Sequence, residues 1–158
     1  MANELTTTQS CANVAKILEN LPALIVSEGF VEAAAAFNEV IYDALLEVTP
    51  VQNEEKTGGY FREPGSLRYS LDSGVELDRS IQGVRAGVGY GNQAWIAALV
   101  EYGHQASGAI KGRTDPIPPH PFMRSVVDGN APERAIIAFA EVIANKLPMI
   151  AARVNNGK

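Results

Sequence analysis

The apolar positions of this chain follow a helical rhythm at both ends and an alternating one in the middle. In "CANVAKILENL", Val14, Ile17, Leu18 and Leu21 recur at three- and four-residue steps, which predicts a short amphipathic helix. Pro22 either ends that helix or sits in the first turn of the next. Over 30–48 two stripes run side by side. Phe30, Ala34, Phe37, Ile41, Leu45 and Val48 make one; Val31, Ala35, Tyr42 and Leu46 make the other. A helix facing a single core needs one stripe. The pattern therefore predicts a long helix that is either deeply buried or shared with a neighbouring subunit. Thr49-Pro50 stops it, because a proline pushes the residue before it out of the helical region.

Residues 52–64 are polar, rich in glycine and without period, and read as an extended exposed loop. Alternation follows. Leu67, Tyr69 and Leu71 oppose Arg68, Ser70 and Asp72, as on a strand with one dry face. Asp72-Ser73-Gly74 has turn chemistry, and Val75, Leu77 and Ile81 then alternate with Glu76, Asp78 and Ser80. Beyond Gly83 the apolar positions are Val84, Ala86, Val88 and Tyr90, so the parity flips, the mark of a bulge or tight turn. The expectation is an antiparallel meander of three strands, or of two with one long and bent.

Residues 92–103 read as a short helix or a buried strand, and Asn92 as N-cap with Gly103 as C-cap favours the helix. A second extended loop fills 104–121. The last helix opens at Asn130, with Glu133 in capping-box position, and carries Ile136, Phe139, Ile143, Leu147 and Ile150 on one face. Pro148 is expected to kink or end it. The fold class is α+β: an antiparallel β-meander packed against a long N-terminal helix and a C-terminal helix, with two long loops. The length suits one domain over 1–158, with mobile ends at 1–8 and 153–158.

Composition narrows the picture modestly. The net charge of −5 argues against broad nucleic-acid binding, which needs clustered Lys and Arg. Cys11 is the single cysteine, so no internal disulfide forms and folding in a reducing cytoplasm is expected. "MANELTTTQS" has no signal-peptide pattern, and the longest apolar stretches are much too short to span a bilayer, so no membrane partner is expected.

Candidate chemistry is sparse. "GVGYG" at 87–91 lacks both the third glycine of a dinucleotide fingerprint and the Lys-Ser/Thr of a phosphate loop. His104, His120 and Asp115 form the one set with metal-ligand or catalytic potential, and their spacing is wider than structural zinc sites use. No Gly-x-Ser-x-Gly elbow occurs. No cofactor is expected. Lys111 and Arg113, with Arg62 and Arg68, read as solvated charges before they read as phosphate contacts.

"DPIPPHPFMR" at 115–124 is the most unusual stretch. Prolines at 116, 118, 119 and 121 favour extended geometry and remove backbone donors. Part of the ordering entropy is thereby already lost in the free chain, which suits an arm that docks on another surface. Phe122 and Met123 would anchor it and Arg124 would clamp it. A rigid return across the domain's own core accounts for the prolines equally well.

The order of these parts resembles the siphophage neck proteins that join head to tail, the lambda Z-like tail-completion family. The residues that carry the resemblance are Thr49-Pro50-Val51; Gly65, Leu67, Arg68 and Ser70; Val88-Gly89; Val100-Glu101-Tyr102-Gly103; and Pro121-Phe122-Met123-Arg124. The match as a whole runs over roughly 12–147. The chain departs from the family's pattern by the insertion at 52–64 and by a longer stretch before Pro121. The resemblance implies a non-enzymatic virion protein, made in the host cytoplasm, that forms a sixfold or twelvefold ring. Its partners would be head-completion and tail-terminator or tail-tube proteins, with duplex DNA passing through. Leu67, Arg68, Glu101, Tyr102, Gly103, Pro119, Pro121, Phe122, Met123 and Arg124 would form the subunit or partner interface. Glu54, Glu55, Lys56, Lys111 and Arg113 would lie in lumen or docking loops. The nearest rival is a tail-terminator or head-closure ring. The rival from another class is a small metal-dependent hydrolase or ligand-binding domain using His104, His120 and Asp115.

Overall fold

The computed structural model describes residues 25–51, 65–78, 80, 83–104 and 116–155. The expected helix over 12–21, the loop 52–64 and most of the loop 104–121 lie outside them. A π-helical turn, Ile25–Phe30, leads into α1 (Val31–Val48); then come the short α2 (Ser66–Tyr69), β1 (Asp72–Asp78) and β2 (Gly83–Gly89). A 3₁₀ turn, Gly91–Gln93, opens α3 (Ala94–Tyr102), followed by α4 (Phe122–Val127) and α5 (Ala131–Asn155). The two strands pair with each other, so the architecture is α+β, with a long helix before the sheet and another after it.

The described residues divide into two compact units. One takes those up to Phe37, Val75–Ala86 and those from Ile136 onward; the other takes Asn38–Gly74 and Gly87–Ala135 within the described ranges.

In the second unit the core is Leu45, Leu67, Leu71, Tyr90, Ala97, Phe122, Val126 and Ala131. Thr49 closes α1 as the Thr-Pro pair predicts: its N–H and its hydroxyl both donate to the Leu45 carbonyl, at 2.9 and 2.5 Å. The run Leu67-Arg-Tyr-Ser-Leu71 departs from expectation. It is a helical turn, with Tyr69 N–H donating to the Gly65 carbonyl (2.9 Å) and Ser70 N–H to that of Ser66 (3.1 Å). A five-residue Leu-x-Tyr-x-Leu run fits either period, since its outer residues are also four apart. The helical choice buries Leu67 and Leu71 together and leaves Tyr69 80% exposed. Asp72-Ser73-Gly74 likewise is not a turn but the start of β1; the hairpin turns between Asp78 and Gly83. Asp78 Oδ1 accepts from the Ser80 N–H (2.9 Å) and hydroxyl (2.5 Å) on the approach to that turn. The meander is thus a single two-stranded hairpin. Buried Asn38 fixes its base by donating from Nδ2 to the carbonyls of Gly74 (2.9 Å) and Gly87 (3.2 Å). Asn92 belongs to the 3₁₀ turn rather than capping α3.

In the first unit, Phe30 and Phe139 pack with ring centroids 5.9 Å apart. A Cβ on Gly29 would touch Ile143 and Ile150 at ordinary distance, 3.5 and 3.7 Å, so this contact is close but not tight. Lys146 pairs with Glu32 (2.5 Å) and Arg153 with Glu28 (2.6 Å), fastening α5 to the segment 25–37. At the start of α5, the Asn130 carbonyl accepts the Arg134 N–H (3.1 Å), the position of an N-cap residue. Pro148 does not end the helix, which runs on to Asn155. Pro148 and Ala144, whose carbonyl loses its usual donor, are both on the exposed side, where water can serve that carbonyl.

By length and composition alone, Ala131–Arg153 is long and apolar enough to cross a bilayer: 23 residues, with a window of mean hydropathy 1.6 that is 11% buried. Glu141 and Lys146 interrupt its apolar run.

Candidate docking site

The proline strap ends at a buried carboxylate. Glu101, on the last turn of α3, is 3% exposed. Its Oε2 accepts the Met123 N–H at 2.8 Å and its Oε1 the Arg124 N–H at 3.1 Å. The first turn of a helix has N–H groups with no helical partner, and here proline occupies the N-cap position with no side-chain oxygen to offer. Glu101 supplies that acceptor from twenty-two residues upstream. A negative charge at a helix N-terminus is favourable in its own right.

Three further backbone bonds hold the strap to its own unit. His104 and Ile117 form an antiparallel bridge, N–H to carbonyl in both directions at 3.1 and 2.8 Å. The His120 N–H donates to the Val100 carbonyl at 2.8 Å. Gly103 makes this approach possible. Its φ of 71° is left-handed, and a Cβ there would stand 2.6 Å from the Ile117 carbonyl oxygen and 2.8 Å from Pro119 N. The strap stays at the surface: residues 116–121 are all exposed.

These facts sort the expected interface residues. Leu67 and Phe122 are core, 7% and 3% exposed, and the Phe122 ring meets Tyr90 edge-on at 5.8 Å. Phe122 is therefore not an outward anchor, because its ring fills its own unit. Glu101 is an internal brace, and Gly103 is the turn that admits the strap. Tyr102 (66% exposed), Pro119, Pro121 and Arg124 remain at the surface, with Met123 half-buried. Arg68 is half-buried, with Nη2 3.5 Å from the Thr49 carbonyl; its buried Nε has no hydrogen-bond partner among the described residues. Glu54, Glu55, Lys56, Lys111, Arg113 and Asp115 lie outside the described residues. His104 is half-buried, with Nδ1 3.5 Å from the Leu99 carbonyl, and His120 is exposed. Among the described residues no group of three His, Cys, Asp or Glu side chains is placed to hold a metal ion.

Sequence reasoning missed the pair beside the brace. Thr49 Oγ1 and the Tyr90 hydroxyl are 2.5 Å apart. With the Thr49 hydrogen already directed at Leu45, the tyrosine is the donor. Tyr90 had read only as one more apolar strand position; a tyrosine where any aliphatic residue would fit was the available signal. Burial pushes the Tyr90 pKa up, the Thr49 bond opposes this, and Glu101 raises it further while Arg68 lowers it. An unfolded tyrosine titrates near pH 10. With the folded value above that, the stabilisation is fully present below about pH 10 and is lost as pH rises through the folded value. The urea midpoint should fall above about pH 10, and Tyr90→Phe should flatten that fall. An equal fall in the variant would assign it to other groups.

Glu101→Gln keeps the shape of the brace but offers one oxygen to two N–H groups. We expect a loss of about 1–2 kcal/mol, read from chemical denaturation. An unchanged midpoint would mean that water serves these donors equally well. No family model, curated protein or solved structure matches the chain.

Proposed function

We propose that this chain is a structural protein of a tailed-phage neck, forming part of a ring that joins the DNA-filled head to the tail and lets DNA pass. The observation that carries this reading is the strap. It is stiffened by proline, fastened along one side to its own unit and exposed along the other, with Tyr102 and Arg124 exposed beside it. A segment already held in shape loses little further entropy when a partner covers it. The order of motifs from Thr49-Pro50-Val51 to Pro121-Phe122-Met123-Arg124 supports the same reading. So does the net charge of −5, which favours passage of DNA over retention by like-charge repulsion.

In this reading the strap's outer face docks on an adjacent subunit or on the next ring of the neck. The ring is sixfold or twelvefold, and its neighbours are head-completion and tail-terminator or tail-tube proteins. No membrane and no cofactor takes part. Tyr102→Ser combined with Arg124→Ala removes two exposed side chains and leaves the Glu101 brace, which uses backbone N–H groups, in place. The double variant should melt as the unaltered protein does and fail to restore infectivity to particles lacking this protein. Full infectivity would remove the strap from the joint.

A further inference from the structure

A cavity of about 230 Å³ sits in the second unit, where the end of α1, the short α2 and the opening of α3 meet. At about 30 Å³ for each water, this is room for about eight heavy atoms. Val51, Leu67, Ile96 and Val100 give it an aliphatic wall. Ser66 and Gln93 are its polar side chains, and among the described residues no charged one lines it.

Gln93 is the feature that points to an occupant. It stands in the 3₁₀ turn before α3, with its backbone N–H on the Tyr90 carbonyl at 2.9 Å. That bond is indifferent to the side chain. Yet the side chain carries a buried Oε1 that has no hydrogen-bond partner among the described residues. An amide oxygen buried without a donor is destabilising, and a leucine would line the same wall without that cost. Gln93 as a whole is half-buried, so rotation of its side chain brings the oxygen to the cavity.

We propose that the cavity receives a branched aliphatic side chain from an extended segment of a partner protein, with the Gln93 amide bonding that segment's backbone. An amide matches a peptide group, because each offers an N–H donor and a carbonyl acceptor. Ser66 adds a hydroxyl that serves as either. The space fits the four carbons of a leucine side chain and the peptide group beside them. A charged group would lack a counter-charge here. A free metabolite is usually held by several convergent polar groups, whereas two polar side chains on an aliphatic wall suit one anchor within a larger contact. Val100 links the cavity to the strap: it lines the cavity, and its carbonyl accepts the His120 N–H at 2.8 Å. A partner that covers the strap has the cavity within reach, and to that extent the inference rests on the docking reading.

The test is titration of the full chain with N-acetylleucinamide, followed by amide NMR. Its controls are N-acetylglycinamide, which lacks the side chain, and 3-methyl-1-butanol, which lacks the peptide groups. N-acetylleucinamide should shift the signals of Ser66, Gln93, Ile96 and Val100 and saturate in the millimolar range, with both controls weaker. Gln93→Leu should weaken this binding by about tenfold. Its urea midpoint should equal or exceed that of the parent, because an unpartnered buried oxygen is gone. No shift at these residues, equal binding of either control, or unchanged binding by Gln93→Leu overturns the proposal. A lower midpoint for Gln93→Leu would return the amide to the fold and overturn it too. None of these readouts needs phage particles, so the neck reading can fail while the cavity still binds, and the reverse.

Discussion

Phe122→Ala is expected to destabilise the unit that carries the strap by about 4 kcal/mol, a large share of a small domain's stability. The ring is 3% exposed, packs edge-on against Tyr90 and belongs to the same cluster as Leu45, Leu67, Leu71 and Val126. Its removal takes away both the transfer free energy of a phenyl group and the contacts of the cavity lining. Phe122 also follows the last proline of the strap and begins α4, so a loosened core frees both elements. Denaturant titration followed by Trp95 fluorescence should show a midpoint well below that of the parent protein. Phe122→Leu, which refills most of the space, should recover much of the loss. If Phe122→Ala folded with unchanged stability, the ring would be an outward anchor after all, as the sequence alone allowed.

Gly103→Ala should cost a similar amount by a different route. The backbone there has φ 71° and ψ 170°, a region essentially reserved for glycine, worth about 1–3 kcal/mol of strain to any other residue. The added methyl would also stand 2.6 Å from the Ile117 carbonyl oxygen, 2.8 Å from Pro119 N and 3.0 Å from the Pro118 carbonyl carbon. All three atoms are backbone, so relief requires the strap itself to move. The bridge to His104 and the His120–Val100 bond should then break together. The expected signs are a loss of about 4 kcal/mol and faster amide exchange at His104, Ile117 and His120. Exchange rates that match the parent would mean that the strap is not held at these points.

Gly89 makes a useful contrast with Gly103. Both belong to motifs that carry the family resemblance, yet a Cβ on Gly89 would meet nothing within 4 Å. Gly65, the other glycine of those motifs, also has positive φ, at 81°, where it starts α2. Sequence alone treats the three alike, because it cannot show which glycine another backbone approaches.

The same limit explains what else was and was not legible. The stop of α1 at Thr49-Pro50 was readable because proline acts on the residue beside it. The helix over Ala94–Tyr102 was readable from the glycine that follows it, since its dense apolar content fits a buried strand as well. The Leu67–Leu71 run was misread because two periods coincide over five residues, and burial of Leu67 with Leu71 decided between them. The Glu101 brace joins residues twenty-two and twenty-three positions apart through backbone N–H groups, which leave no trace in residue identity. Thr49 and Tyr90 are forty-one apart and were each read for a local role only. The strap was recognisable as stiff, but proline content could not say that one side of it is fastened to its own unit.

In the proposed neck role this chain joins heads to tails. Interrupting its coding sequence in the genome that carries it, and imaging the resulting lysate by electron microscopy, puts that role to the test. Packed heads beside free, finished tails are the predicted result, with joining restored when the purified protein is added back. Intact, infectious particles made without it would contradict the claim.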